Sequence, residues 1–126
     1  VDELIRQVGP GTTPGVMFTE LRHLGGALAR TVPDGGVLSA VSGEFALHCV
    51  AIAPTPQAAV AGRAAAFAIM RAMSPWTLPH LVPTFTDTRV SAGRLFGDDD
   101  LTRLRRIATM VDPDQRLVAN HGLATA

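Results

Sequence analysis

The sequence predicts an α+β fold, with an antiparallel sheet of about four strands covered by two main helices. Three observations predict it. Apolar, β-prone runs at residues 16–24 and 45–53 have the length of strands. An alanine-rich stretch at residues 55–73 opens on helix-capping chemistry and is too long for a strand. A second amphipathic run, Leu101, Leu104, Ile107, Ala108 and Val111, follows the acidic cluster Asp98, Asp99 and Asp100.

With 126 residues the chain is expected to form one domain, and 47% apolar against 17% charged residues fits a globule and not a disordered segment. Eleven arginines balance eleven acidic residues. No domain-wide field is therefore available for nucleic acid or an anionic membrane, and neither is expected as a partner. Cys49 is the sole cysteine, which excludes an internal disulfide. Neither a membrane span nor a secretory leader is expected, so the cytoplasm is the default compartment. The chain opens on Val1 and not on Met, as a processed or partial chain would.

Taken in order, residues 2–8 suit a short helix with Asp2 near its start, where a carboxylate meets free amides. The segment from Gly9 to Gly15, with Pro10 and Pro14, stops it as a loop. In the strand at 16–24, Met17, Thr19, Leu21 and His23 share one face, and Phe18, Glu20, Arg22 and Leu24 the other. Pro33-Asp34-Gly35-Gly36 is turn chemistry; residues 37–41 form a short candidate strand, expected to make a hairpin with the strand at 45–53 through Ser42-Gly43-Glu44.

Thr55 then serves as N-cap and Pro56 as first helical residue, where its missing N–H costs nothing. This helix is expected to reach Met73 and to bury Val60, Phe67 and Met70 with Ala59, Ala66 and Met73. Residues 78–87 are extended, but Pro79 and Pro83 restrict them to an edge or broken strand. The last helix begins at Asp98 and is closed by Asp112-Pro113-Asp114.

The glycine pair Gly25-Gly26 marks either a turn or a close backbone approach. It is no dinucleotide fingerprint, because a third glycine and a following amphipathic helix are both missing. Asp98, Asp99 and Asp100 are read as an acidic helix start in preference to a cation site. His23, His48, His80 and His121 lack paired ligand spacing, and no metal site is expected. His48 and Cys49, adjacent on a strand, point to opposite faces; burial of Cys49 should raise its thiol pKa and quiet it as a nucleophile. The residues alone supply no self-sufficient active site.

Three segments in order resemble the C-terminal, substrate-side half of berberine bridge enzyme-like FAD-linked oxidoreductases. They are Glu20 to Ala27; Val82-Pro83-Thr84-Phe85 with Asp87; and Leu104 to Ile107 followed by Asp112-Pro113-Asp114 and the stretch from Leu117 to Leu123. The resemblance implies that an FAD-binding half, absent from this chain, carries the flavin. This half would then supply an antiparallel sheet backed by helices over the isoalloxazine. The implied activity is hydride removal from an alcohol, sugar or amine carbon, with the cofactor doing the hard chemistry.

It further implies that Gly25, Gly26, Thr84 and Asn120 face the cofactor, with Arg22 and Arg30 on the substrate side. The family's catalytic Glu corresponds to Arg30, which cannot accept a proton, its flavin-side Tyr and Asn to Val82 and Thr84, and a frequent Arg to Val41. A catalytic residue is thus not assigned, and the chain alone is expected to hold no FAD. The alternative is a non-enzymatic module that dimerises through the sheet that would otherwise face the flavin.

Overall fold

The structure, a computed structural model, describes residues 1–12 and 15–123. The chain is α+β, with a two-stranded antiparallel sheet and three α-helices among the described residues. These are α1 (Asp2–Val8), β1 (Phe18–His23), β2 (Phe45–Val50), α2 (Pro56–Met73) and α3 (Asp98–Val111), with short 3-10 turns at Gly26–Ala29, Ser74–Trp76, Pro83–Phe85 and Ala92–Arg94. They fall into two compact units: Val1–His23 with Glu44–Thr77, and Leu24–Gly43 with Leu78–Ala126.

In the first unit, β1 pairs with β2 from Phe18 opposite Val50 to His23 opposite Phe45. Opposed residues share a face, so Thr19, Leu21, His23, Phe45, Leu47 and Cys49 line one side and Phe18, Glu20, Arg22, Ala46, His48 and Val50 the other. The expected alternation in β1 and the opposite facing of His48 and Cys49 both follow. Edge-on contact between the Phe18 and His48 rings and a tilted one between His23 and Phe45 join the strands on either face.

The expected hairpin is replaced by this pairing. Residues 37–41 are not a strand, and β2 takes β1 as its neighbour. Gly43, at φ 96°, lies in the connection ahead of β2, whose residues take their ladder partners from β1, from Phe45 opposite His23 to Val50 opposite Phe18. Residues 78–87 form no strand either: Pro79 and Pro83 withhold ladder donors, and Pro83–Phe85 winds into a 3-10 turn. The expected sheet of about four strands therefore has two among the described residues.

Helix α2 begins as expected: Thr55 Oγ1 accepts from the Ala58 N–H at 3.1 Å, with Pro56 just inside the helix. It lies next to β2's exit, where Gly62 faces Ala51 so closely that a Cβ would stand 2.5 Å from the Ala51 methyl. Ile69 and Gly62 are its buried residues, and Ala46 of β2 is buried too. Burial of Ile69 contributes about 2–3 kcal/mol. The expected stripe is corrected at two positions: Val60 and Phe67 are 72% and 59% exposed. Ala59, Ala66, Met70 and Met73 do lie on the more buried side.

Helix α1 has the expected bounds and ends where Gly9 N–H donates to Ile5 O at 2.7 Å. The expected loop after it includes Thr13 and Pro14, which lie outside the described residues.

The second unit has its core at Leu24, Ala92, Leu95 and Leu101. Helix α3 starts behind Gly97, with Asp98, Asp99 and Asp100 in its first turn and no side-chain cap. The three carboxylates thus act on the helix dipole and not as an N-cap. Past its end, both Asp112 oxygens accept backbone N–H groups, of Arg116 and Leu117, at 2.8 Å each, which turns the chain. No helix of the described residues is long and apolar enough to cross a membrane.

Candidate functional site

The glycine pair opens the second unit's site. Gly26 has φ 67°, in the left-handed region, and starts the 3-10 turn Gly26–Ala29. A Cβ there would meet no atom within 4 Å, so the turn demands glycine for its dihedral angle and leaves that side of the backbone open. Gly25 is half-buried, with an extended backbone.

This turn is tied to a cleft. Leu28 O accepts from Val41 N–H at 2.8 Å, and Val41 lines a cleft of about 180 Å³ with Leu38, Leu81, Val82, Pro83, Leu95, His80, Asp100 and others. Leu81 N–H donates to Arg94 O at 2.7 Å, and Arg94 Nε donates back to Pro79 O at 3.1 Å, which fixes the wall that carries His80. Val41 and Val82, two of the positions singled out by the family resemblance, therefore meet in one cavity.

Thr84 is exposed on the 3-10 turn adjoining Pro83 of the cleft wall. Asn120 is exposed beside His121, whose Nε2 lies 3.2 Å from Thr86 O. Short links in the chain thus bring Thr84 and Asn120 into one neighbourhood. No hydrogen bond among the described residues joins either to Gly25 or Gly26. Arg30 is exposed, and its guanidinium has no ion pair among the described residues. Arg22 belongs to the first unit, where its Nε donates to Glu20 Oε1 at 2.6 Å. Asp87 is exposed.

Two residues of this cleft were set aside in the sequence, His80 for want of paired ligand spacing and Asp100 as part of an acidic helix start. His80 and Asp100 lie twenty positions apart and form no motif; only the fold of the second unit sets them on one cavity. Neither side chain has a hydrogen-bond or ion-pair partner among the described residues. With Ser42 they are the polar side chains on an otherwise apolar lining.

The first unit offers less. Cys49 is half-buried with the Thr19 hydroxyl 3.7 Å from its sulfur. Burial pushes its thiol above the ordinary value, against a smaller opposing effect of Thr19. Such a thiol is a weak nucleophile. No group of three or more His, Cys, Asp or Glu residues able to hold a metal ion occurs among the described residues.

No protein-family model, curated protein or solved structure matches the chain.

Proposed function

We propose that this chain is the substrate-side part of an FAD-dependent oxidoreductase that oxidises an alcohol, sugar or amine carbon, with the flavin held by a separate FAD-binding half. The observation that carries the proposal is the link from the open Gly26 turn, through Leu28 and Val41, to the cleft shared by Val41, Val82 and Pro83. Of these positions, the resemblance orients Gly26 and Val82 toward a flavin. Gly25, Gly26, Thr84 and Asn120 would border the cofactor, and FAD when bound would supply the hydride acceptor.

Removing hydride from an alcohol or amine also requires a group to take its proton. Arg30 cannot be that group. His80 and Asp100 can, since both line the cleft and have no protein partner for their side chains among the described residues. The apolar walls Leu38, Leu81 and Leu95 would hold the substrate body and exclude water.

Oxygen uptake and artificial-acceptor reduction by the flavin-containing protein, screened across alcohols, sugars and amines, test the activity. Turnover with one class is expected, falling by about a hundredfold or more on loss of the proton acceptor. A flavin-loaded protein inert toward all three classes contradicts it.

One observation favours a second reading. Leu21 and Phe45 lie on the same face of the sheet and are 45% and 54% exposed. A second copy covering this face would make the chain a dimeric module without catalysis. A dimer by light scattering that Leu21→Glu dissociates would support it; a monomer at all concentrations would not.

A further inference from the structure

Apart from Gln57, Arg63 and Arg71, helix α2 is built of apolar residues and glycine. Its inward side carries Gly62 and Ile69, while Val60 and Phe67 stand outward with Ala64 between them. The solvent-facing side thus sets two large apolar side chains, Val60 and Phe67, among its only charges, Arg63 and Arg71. The outward side is an open face formed by Ala59, Val60, Arg63, Ala64 and Phe67.

The charges indicate what fits there. Helix α2 contains two ionisable residues, Arg63 and Arg71, and no acid. Neither guanidinium has an ion pair among the described residues. They sit eight positions apart, about 12 Å along the axis, on either side of Phe67. A second copy packed through this face by a two-fold axis would bring both pairs of arginines into one interface, with no carboxylate from α2 to answer them. The small side chains Ala61, Ala64 and Ala68 let another backbone come close.

We propose that the outward face of α2 docks an acidic amphipathic helix of a partner protein, its apolar stripe seated on Val60, Ala64 and Phe67 and its carboxylates on Arg63 and Arg71. Arginine suits this role, since its planar fork holds a carboxylate by two parallel hydrogen bonds. This surface is independent of the flavin proposal, whose cleft belongs to the other unit.

The test uses the full chain and a fluorescent synthetic helix with a leucine stripe flanked by glutamates, followed by anisotropy. Saturable binding is expected, weakened about thirtyfold by Phe67→Asp, as loss of an interface aromatic anchor does. Arg63→Glu with Arg71→Glu should reverse preference toward the same peptide carrying lysines for glutamates. Because Phe67 and both arginines are exposed, circular dichroism should show each variant folded. Absence of binding, equal binding of the acidic and basic peptides, or indifference to these substitutions overturns the proposal. So does a homodimer that Phe67→Asp dissociates. Binding to phosphatidylglycerol-containing vesicles with the same sensitivity, and none to the peptide, would assign the face to lipid and overturn it too.

Discussion

The main-chain oxygen of Thr86 lies 3.2 Å from Nε2 of His121, and the other ring nitrogen, Nδ1, is buried without a hydrogen-bond partner. A carbonyl oxygen only accepts, so in the neutral ring the hydrogen sits on Nε2 and leaves Nδ1 bare. The Asn120 amide, 3.4 Å from Nε2, cannot also donate to it in that state.

Nitrogen-15 spectra of the neutral protein should give His121 the Nε2–H tautomer. His121→Ala should lower stability by about 1 kcal/mol in urea unfolding. A dominant Nδ1–H form would contradict the pairing.

Cys49 sets an alkaline limit. Its thiol ionises at higher pH when folded than when unfolded. The unfolded chain therefore loses this proton first as pH rises. The stabilisation is complete below the unfolded pKa and is lost as pH rises through the folded one. Cys49→Ala should flatten that alkaline decline, and the native thiol should react with a disulfide reagent more slowly than free cysteine at pH 8. Fast native-state labelling would contradict its burial.

Gly26 is held at φ 67°. Gly26→Ala should cost about 1 kcal/mol through strain, although space for the methyl is open. A D-alanine introduced by chemical synthesis should restore the loss, and thermal melts of the two proteins compare them. Equal melting of the L and D forms would show that the dihedral does not matter.

Gly62 opposes Ala51. Alanine favours a helix interior over glycine by about 1 kcal/mol, yet Gly62→Ala should be net destabilising, since overpacking of this kind costs about 1–3 kcal/mol. Ala51→Gly should relieve it, and the double-mutant cycle should show coupling. Additive effects would mean that the two residues do not touch.

Both main helices were legible because their ends carry local chemistry: Thr55 with Pro56 for α2, and the three aspartates of the first turn for α3. The inward side of α2 was not. With Val60 and Phe67 as apolar as Ile69, periodicity cannot choose a face, and packing of Gly62 on Ala51 decides it. Strand pairing was obscure for a related reason. A run such as Val37 to Val41 has strand composition, but the partner of β2 is set by register with the distant β1. Of the site, Gly26 was readable as a backbone requirement. His80 and Asp100 carry no motif and meet only through the fold of the second unit.

The proposed function requires that this chain work beside a flavin-carrying half. Its most direct test is to express the entire reading frame that encodes Val1 to Ala126 and record the product's mass and visible spectrum. A polypeptide longer by an upstream FAD-binding segment, yellow and carrying flavin absorption bands, is the predicted result. A colourless product that starts just before Val1 would contradict it.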